Sequence, residues 1–394
     1  MSEAVPDGSL AALLAAVDIP GELHLPDGTT ITVGTGEPVY ALRFRTERAL
    51  RTPLTELGVG RAYVSGDLDV TGDLGALFGL RQALGERVPL RQKVRFAYDL
   101  VRTATAMNAK AVGQHYNRGD DFYLTFVDRR YRFYSQGLFH SPGETLEEAS
   151  EHKLETMVDG LGLKPGMRLL DIGGGWGGVT QYCGARGVHV TTLTIAEDSA
   201  RYVRRLIDEH DLPGEVFRQD FLDHRPAEPY DHAVIYGVIE HLPHYRRFAE
   251  QAWRVLKPGG RLYLDASAAV QKFSVSAFTR DYIWSGTHTF MTLQDVLAEL
   301  LHHGFEIVDV TRETRDYELT MREWARRLDA AEHEITARWG EETYRAFRLF
   351  LWGGAHAFRT NALQAYHLIA ERTADPGPRP SVPRRVVQFL AGLR

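Results

Sequence analysis

A glycine-rich turn after an apolar run constrains the fold of this chain most strongly. The segment reads Leu169-Leu-Asp-Ile-Gly-Gly-Gly-Trp-Gly-Gly178 and leads into a helical pattern. Glycine tolerates positive φ angles and, because it has no Cβ, lets a ligand approach the backbone closely. Strand-to-helix turns of this kind bind dinucleotides, phosphates and nucleosides. The turn therefore predicts a ligand site at the carboxyl edge of a parallel sheet.

The turn belongs to a longer alternation of strand-like and helix-length segments. The strand-like runs cover residues 167–172, 188–195, 215–221, 231–239, 260–266 and 305–310, and a last strand is predicted near 363–370. Strands that alternate with helices indicate βαβ units. We therefore predict an α/β fold with a mostly parallel, doubly wound sheet.

Composition and charge exclude several classes of protein. The chain has 394 residues, 44% of them hydrophobic and 25% charged, which suggests two or three globular domains. Its net charge of -6 argues against nucleic acid as a partner. Cys183 is the single cysteine, so we expect neither an internal disulfide nor a cysteine-rich metal site. We find no secretory signal and no membrane-spanning run, and expect a cytoplasmic protein.

Four segments are predicted along the chain. Residues 1–85 form a small α+β domain, and residues 86–145 form a basic helical linker and a lid over substrate and cofactor. Residues 146–375 carry the glycine-rich turn, an inserted aromatic cap at about 270–290 and carboxyl-terminal helices. Residues 376–394 form a proline-rich linker and a basic tail.

The stretch Arg81 to Lys110 carries seven basic residues against two acidic ones. Two interpretations stay open, a solvated helix face or a surface for anionic lipid headgroups. The second would place the protein peripherally on the inner face of a membrane.

Polar residues at three strand ends indicate which ligand the turn binds. The candidate contacts are Asp171, Gly173, Gly175, Gly177, Thr194, Gln219 and Asp220. The spacing of Gly173, Gly175 and Gly178 also fits a dinucleotide, so a nicotinamide cofactor remains the alternative. A carboxylate inside the turn, and a carboxamide and carboxylate placed to meet an adenine edge, favour S-adenosylmethionine. Glu240, after the fourth strand, lies at the same edge of the predicted sheet.

Several further motifs follow one another along the chain: His115-Tyr-Asn-Arg-Gly-Asp-Asp-Phe-Tyr123, Tyr134-Ser135, Thr145-Leu-Glu-Glu-Ala149, Tyr317 with Thr320-Met321 and Trp324, and Gly354-Ala355 with Phe358-Arg359. In this order they resemble the motifs of the cyclopropane fatty acid synthase family, which includes mycolic acid methyltransferases. The resemblance covers most of the chain. It implies a class I methyltransferase core with a seven-stranded sheet, an N-terminal lipid-associated domain and a helical carboxyl-terminal cap.

The resemblance also implies the activity, methyl transfer from S-adenosylmethionine to the double bond of an unsaturated acyl chain, usually on a phospholipid. A carbocation forms and then loses a proton. Tyr134 and Ser135 are implied as cofactor contacts, and Ser199 stands where many relatives carry a cofactor-binding Gln. His115 and Tyr116 are implied as substrate contacts. Phe278, Tyr282 and Trp284 line an acyl tunnel or pack the insert, and spacing leaves both interpretations open.

The family's proton acceptor is a bound bicarbonate, and its ligand set is only partly present here. Glu240 and Tyr317 match, but Gln136 stands at the Cys position and Asp265 at the His position. A second carboxylate beside Glu240 disfavours a bound anion, because like charges repel. We therefore hypothesise that Asp265 replaces bicarbonate, with one of the two carboxylates acting as base. Capping of the next element is the alternative role for Asp265.

The predicted product is a cyclopropane or a methylene- or methyl-branched acyl chain. A separate reductase would be needed to saturate a methylene product, and a homodimer is also considered. Two other functions stay open. One is C-methylation of a small-molecule natural product on the same fold, and the other is non-catalytic binding of lipid or S-adenosylmethionine.

Overall fold

The computed structural model describes residues 10–16, 18–79, 120–242, 244–271, 275–284 and 288–374. His115 and Tyr116, the basic stretch 81–110 and the tail 376–394 lie outside these residues. Within the described part of the chain, no helix is both long and apolar enough to cross a membrane.

The chain divides into two compact units, and each is assembled from three separate segments. We call the first the composite unit, comprising the described residues within Met1–His152, Phe273–Phe290 and Glu313–Gln364. We call the second the sheet unit, comprising those within Lys153–Lys272, Met291–Arg312 and Ala365–Arg394. This division differs from the four consecutive segments predicted, because carboxyl-terminal helices pack with the N-terminal residues.

The strands and helices alternate in the sheet unit as predicted. Its strands are β5 (Arg168–Ile172), β6 (His189–Thr194), β7 (Gly214–Arg218), β8 (Tyr230–Tyr236), β9 (Leu256–Ala268), β10 (Phe305–Arg312) and β11 (Gln364–Arg372). Its helices are the end of α6 (Leu146–Leu161), then α7 (Gly178–Gly184), α8 (Glu197–His210), α9 (Tyr245–Val255) and α11 (Leu293–His302). The predicted strand at 363–370 is β11, and it extends two residues further.

The seven strands form one sheet in the order β10-β11-β9-β8-β5-β6-β7. The pairs β5–β6, β5–β8, β6–β7 and β8–β9 are parallel, whereas β10 and β11 are antiparallel. The order reverses at β5, between β6 and β8, and ligands of open α/β sheets bind at such a reversal. The predicted α/β class and mostly parallel sheet are confirmed.

Apolar spacing explains how the helices cover this sheet. Helix α9 buries Tyr245, Phe248, Ala249 and Ala252, whose spacing of three to four residues from one turn to the next places them on one face. These residues share a buried cluster with Ile235 of β8 and Leu264 of β9. Strands of parallel sheets are often apolar on both faces, and β8 follows that rule because five of its seven residues are consecutive and buried. The central strands β8 and β9 therefore lie in the hydrophobic core of the sheet unit.

The composite unit contains a smaller sheet of four strands and most of the remaining helices. Its strands are β1 (Gly21–His24), β2 (Thr30–Val33), β3 (Tyr40–Phe44) and β4 (Leu68–Gly72), in the order β2-β1-β3-β4. Its helices are α1 (Leu10–Ala16), α2 (Glu47–Leu50), α3 (Glu56–Val64), α4 (Leu74–Leu77), α5 (Asp120–Leu124), the start of α6, α10 (Ala277–Tyr282), α12 (Thr314–Ala330), α13 (Glu332–Trp339) and α14 (Glu341–Arg359).

A buried arginine on α14 connects this C-terminal helix to the N-terminal segment of the composite unit. The Arg345 side chain is 8% exposed. Its guanidinium donates to the backbone carbonyls of Tyr63 at 3.1 Å and Leu68 at 3.2 Å, and contacts Asp69 at 3.3 Å. Five fixed donors suit guanidinium to such multiple contacts. The N-terminal sheet and the C-terminal helices are thus parts of one packed body.

Candidate functional site

The glycine-rich turn lies between β5 and α7, as predicted. Gly173, Gly175 and Gly177 have φ angles of +85°, +48° and +75°. A Cβ on Gly174 would stand 2.1 Å from Cγ2 of Thr192, and one on Gly173 would stand 2.4 Å from Cγ2 of Val238. Both distances are too short for a real side chain, so these glycines are required by close packing. The contact with Val238 also places the loop after β8 against the turn.

Asp171, at the end of β5, is a buried carboxyl with unused hydrogen-bonding capacity. Among the described residues, its Oδ2 atom has no hydrogen-bond partner. Burial raises the pKa of Asp171 to about 7, and a hydrogen bond with Thr192 only partly opposes that shift. A buried carboxyl beside a glycine turn is suited to receive a cationic or donor group of a ligand.

The predicted contacts after β6 and β7 are mostly engaged in local hydrogen bonds. The Ser199 hydroxyl donates to the backbone oxygen of Gly175 at 2.6 Å, so it holds the turn itself. Thr194 Oγ1 accepts from the Ala196 backbone at 3.2 Å. Gln219 donates to the Asp223 carbonyl at 3.2 Å, and Asp220 Oδ1 accepts from the Leu222 backbone at 2.8 Å. These bonds shape the edge of the sheet beside the turn.

Glu240 lies in a short 3₁₀ turn after β8 and is buried, with only 3% of its surface exposed. Its Oε1 accepts from the backbone N–H of Ser267 at 2.9 Å and from the Ser267 hydroxyl at 2.7 Å. Its Oε2 has no hydrogen-bond partner among the described residues. Burial raises the pKa of Glu240 to about 7, and the charge of Asp265 adds to the shift. Such a carboxyl is poised to exchange a proton near neutral pH.

Asp265 has a different environment, because it forms a buried ion pair. Its Oδ2 lies 2.6 Å from Nζ of Lys153, and both side chains are almost completely buried. Its Oδ1 accepts from the Gly237 backbone at 3.0 Å. Nζ of Lys153 also lies 4.1 Å from the centre of the Tyr236 ring. The second carboxylate near Glu240 is therefore compensated by a cation that the sequence analysis did not assign to the site.

The predicted catalytic residues are divided between the units. Glu240 and Asp265 belong to the sheet unit, whereas Gln136 and Tyr317 belong to the composite unit.

In the composite unit, Gln136 joins a buried clamp between its own loop and the start of α12. Gln136 Nε2 donates to Glu313 Oε2 at 2.5 Å, and both residues are buried. Two further bonds follow along the loop, from Gly137 N to Thr320 Oγ1 at 3.0 Å and from Phe139 N to Asp316 Oδ1 at 2.8 Å. Burial and the nearby Glu313 raise the pKa of Asp316. The clamp fixes the loop that carries Tyr134 and Ser135.

Aromatic side chains meet beside that loop. The Tyr134 ring stacks on Trp324 at 5.1 Å and lies 6.1 Å from Trp284, measured between centroids. Trp284 in turn stacks on His288 at 5.0 Å. The predicted cofactor residue Tyr134 and the predicted substrate residue Trp284 are thus neighbours. Tyr317 stacks on Phe358 at 4.4 Å and lies edge-on to Trp324 at 6.3 Å, measured between centroids.

The other two aromatic residues predicted to contact substrate lie elsewhere in the composite unit. Phe278 and Tyr282 stack on each other at 4.9 Å on α10. A Cβ on Gly60 of α3 would stand 2.5 Å from the Phe278 ring, so this glycine lets α3 and α10 pack closely. The aromatic residues of the insert therefore lie in two places: Trp284 is beside Tyr134, whereas Phe278 and Tyr282 are on α10.

Sequence reasoning missed four residues of these networks. Thr320 was named only as part of a motif, and Lys153, Ser267 and Glu313 had no assigned role. An isolated lysine in an otherwise amphipathic helix is the one signal that could have drawn attention to Lys153. Nothing local marks Ser267 or Glu313, because their partners come from distant segments.

Comparison with known proteins identifies the family. Residues 103–368 match the family described as mycolic acid cyclopropane synthetase. The probable fatty acid methyltransferase Rv3720 of Mycobacterium tuberculosis is 28% identical, over 91% of this chain and 92% of the relative. The cyclopropane-fatty-acyl-phospholipid synthase of Escherichia coli is 28% identical, over 82% and 85%.

A solved structure agrees with the fold. The mycolic acid cyclopropane synthase CmaA1, complexed with SAH and CTAB, superimposes with a TM-score of 0.62 at 26% identity, over 67% of this chain and 98% of that one. The seven-stranded sheet is the one that the sequence resemblance implied, and the glycine turn lies within the matched residues 103–368. The chain belongs to the mycolic acid cyclopropane synthetase family of S-adenosylmethionine-dependent methyltransferases.

Proposed function

We propose that this protein transfers a methyl group from S-adenosylmethionine to the double bond of an unsaturated fatty-acyl chain carried on a phospholipid. The product is a cyclopropane or a methylene-branched chain. Saturation to a methyl branch would need a separate reductase. The observation that carries the proposal is the Glu240 carboxyl, which is buried, has a pKa raised to about 7 and keeps one oxygen without a described partner.

The residues of the glycine turn fit S-adenosylmethionine. Gly173 and Gly174 have no room for a Cβ, which keeps the backbone of the turn bare, and the Oδ2 atom of Asp171 has no described partner. The turn and Asp171 would hold the methionine part, and Asp220, at the end of β7, would meet the ribose or adenine. When bound, the cofactor supplies an electrophilic methyl group.

Glu240 would act as the proton acceptor. The alkene π electrons form the new carbon–carbon bond as the methyl–sulfur bond breaks, which leaves a carbocation on the acyl chain. Glu240 then takes a proton from the new methyl group. If it does so directly, the C–H electron pair closes a cyclopropane; if a 1,2-hydride shift first moves the cation to the methyl-bearing carbon, the same electron pair forms a methylene double bond. A carboxyl with a pKa near ambient pH is suited to this step, because it is substantially ionised before the reaction and holds the proton afterwards.

Asp265 is a poorer candidate for the base than Glu240. Its ion pair with Lys153 favours the ionised carboxylate and occupies one of its oxygens. We therefore propose that Asp265 is a positioning residue that orients Gly237 and the loop leading to Glu240. With two carboxylates already buried here, this arrangement leaves no need for a bicarbonate as base.

The aromatic group of Tyr134, Trp284 and Trp324 would shelter the cation. Electron-rich ring faces stabilise positive charge, and the surrounding side chains exclude water that would otherwise trap the cation as an alcohol.

Lipid mass spectrometry of cells that express the protein tests this function. With trideuteromethyl-labelled methionine supplied, the product should gain one methylene unit and keep two of the three deuterons. Fragmentation then separates cyclopropanes from methylene-branched chains that retain an alkene. Labelled small molecules with unlabelled lipids would instead favour natural-product methylation, and no labelled product at all would favour non-catalytic binding.

The Glu240→Gln variant tests the role of the base. We expect a loss of turnover of about 10²- to 10⁴-fold, the usual contribution of general base catalysis, with unchanged binding of S-adenosylmethionine. Glu228→Gln is the matched control, because that side chain lies in the same unit and is 79% exposed. Turnover of the Glu240→Gln variant at the level of the control would exclude Glu240 as the base.

A further inference from the structure

Ser267 places two hydrogen-bond donors on one oxygen of the Glu240 carboxyl. Its backbone N–H lies 2.9 Å from Oε1, and its hydroxyl lies 2.7 Å from the same atom. Both residues are buried. Oε1 is therefore engaged, whereas Oε2 has no hydrogen-bond partner among the described residues. A single neighbouring residue thus makes the two oxygens of this carboxyl unequal.

A hydroxyl is costly at this position near the end of β9. Ala266 and Ala268, on either side of Ser267, are buried in an apolar cluster of the sheet unit. A hydroxyl buried away from water costs free energy unless it forms a hydrogen bond, and an alanine would carry no such cost. The bond to Glu240 satisfies the hydroxyl. The serine therefore indicates a role at the carboxyl rather than in the packing of the strand.

The backbone that carries the Ser267 side chain is fixed by a neighbouring segment. The Ser267 carbonyl accepts from the Met291 N–H at 3.0 Å, and the Ala269 N–H donates to the Met291 carbonyl at 2.9 Å. Met291 is completely buried. Donors on a fixed backbone can hold the flexible Glu240 side chain in one orientation before the reaction begins.

We propose that Ser267 is a positioning residue, which holds Oε1 of Glu240 so that Oε2 is the atom that exchanges the proton. This role rests on the proposed function, in which Glu240 is the base. In that reaction a C–H bond of the new methyl group breaks, its electron pair stays on the substrate, and the proton forms an O–H bond at Oε2. Oε1 becomes the carbonyl oxygen of the acid and still accepts both bonds from Ser267. The carboxyl therefore keeps its orientation while the proton moves.

Ser267 also affects the acidity of this carboxyl. Burial raises the pKa of Glu240 to about 7, and the hydroxyl and N–H of Ser267 oppose that rise because they stabilise the ionised form. Loss of the hydroxyl alone should therefore raise the pKa of Glu240 further. A serine that served only to pack the strand would have no such effect.

The other groups around Glu240 do not replace this contribution. The charge of Asp265 raises the pKa of Glu240 and faces Nζ of Lys153 at 2.6 Å. Burial lowers the pKa of His241, the next residue, to about 4 and raises that of Tyr245 on α9. Both of these side chains are therefore neutral near pH 7.

Infrared titration of the full chain between pH 5 and 9 tests the role of Ser267 without any turnover. The band of the protonated Glu240 carboxyl is identified by its loss in Glu240→Gln, which separates it from the band of Asp171. Ser267→Ala should raise the midpoint of this band by about one pH unit, the size expected for one lost hydrogen bond to a charged group. Ser267→Thr, which keeps the hydroxyl, should restore the wild-type midpoint.

Thr191→Val is the matched control, because Thr191 is buried in the same unit and its hydroxyl donates to the Glu215 carboxylate at 3.1 Å. Its loss should leave the midpoint unchanged. A wild-type midpoint in Ser267→Ala, or an equal shift in Thr191→Val, would overturn the role of Ser267. The melting temperature and the affinity for S-adenosylmethionine check that each variant is folded.

Methyl transfer to vesicles of a dioleoyl phospholipid is the second measurement. At pH 6, kcat of Ser267→Ala should fall about tenfold with KM for the vesicles unchanged, because a rise of one unit in the pKa of the base lowers its ionised fraction about tenfold there. Methylated lipid with an unshifted infrared midpoint would refute only the role of Ser267. A shifted midpoint in a protein that methylates no lipid would refute only the proposed function.

Discussion

The environment of Glu147 in the composite unit differs from that of Asp171 and Glu240 in the sheet unit. In the composite unit, two hydrogen bonds from Arg327 hold the carboxylate of Glu147 and lower its pKa to about 2. In the sheet unit, Asp171 and Glu240 each keep an oxygen without a described partner, and burial raises the pKa of both to about 7. Compensated charges stabilise a fold, whereas uncompensated buried carboxyls weaken it and are typical of functional sites. The contrast supports the proposal that Glu240, in the sheet unit, is the proton acceptor.

The same contrast appears in how the contacts span the chain. Glu240 and Ser267, which meet in the sheet unit, are 27 residues apart. Arg345 and Tyr63, which meet in the composite unit, are 282 residues apart. The sheet unit brings polar groups together at the ends of adjacent strands. The composite unit instead packs segments that are far apart in the sequence.

The largest effect is expected at the Lys153–Asp265 pair, the exception to the pattern in the sheet unit. Lys153→Met leaves the Asp265 carboxylate buried without its cation, which should cost about 3–5 kcal/mol in the free energy of unfolding. Adding Asp265→Asn removes the second charge and should recover much of that loss. Urea unfolding measures both effects.

Lys257→Met is the matched control for this pair. Lys257 lies 2.5 Å from Asp231, but its side chain is 44% exposed, so its loss should cost less than about 1 kcal/mol. If Lys153→Met and Lys257→Met lower the free energy of unfolding by the same amount, burial of the Lys153–Asp265 pair does not increase the cost of removing its cation.

The pH dependence of turnover should follow Glu240. A base with a pKa of about 7 is protonated below that pH, so kcat/KM should rise about tenfold for each pH unit up to 7 and level off above it. A radiolabelled methyl-transfer assay between pH 5 and 9 measures this profile. Asp171 has a similar pKa, so an inflection that persists in the residual activity of Glu240→Gln would assign the profile to Asp171 instead.

In the composite unit, the expected loss is smaller and confined to stability. Arg345→Met removes the contacts with Tyr63, Leu68 and Asp69 and should cost about 2 kcal/mol, because it leaves two buried carbonyls without their donor. The affinity for S-adenosylmethionine should not change. Calorimetry of both properties tests whether the units are energetically separate.

Arg338→Met is the control, because its ion pairs with Asp121 and Glu334 are exposed and their loss should leave the melting temperature unchanged. If Arg345→Met also lowers the affinity for S-adenosylmethionine, the two units are not energetically separate.

The sequence predicted the sheet unit far better than the composite unit, for a physical reason. A parallel strand and its following turn carry their own local signature, so β5, the glycine turn and the place of Glu240 could be identified from consecutive residues. Even there, the start of β9 was missed by four residues, because Pro258 and two glycines suggested a turn where the strand begins at Leu256.

Contacts between distant segments leave no such signature. Gln136 was identified as a departure from the family pattern, but its partner Glu313, 177 residues away, was not. Ser199 was predicted as a cofactor contact from the residue that it replaces, and its hydrogen bond to the glycine turn could not be identified from the sequence. In each case the residue type was informative, and only the tertiary contact assigned the partner.

The smallest effect is expected at Ser199, where a local contact supports the ligand site indirectly. Ser199→Ala removes the hydrogen bond to the Gly175 carbonyl, which should loosen the turn and cost about 1 kcal/mol, or about fivefold in the dissociation constant of S-adenosylmethionine. Ser141→Ala, which loses an exposed bond to Glu144 in the composite unit, should leave that constant unchanged. Isothermal titration calorimetry resolves a change of this size. A fall in turnover with unchanged affinity would instead mean that Ser199 acts on the reacting groups, and the glycine turn would then hold its shape without help from α8.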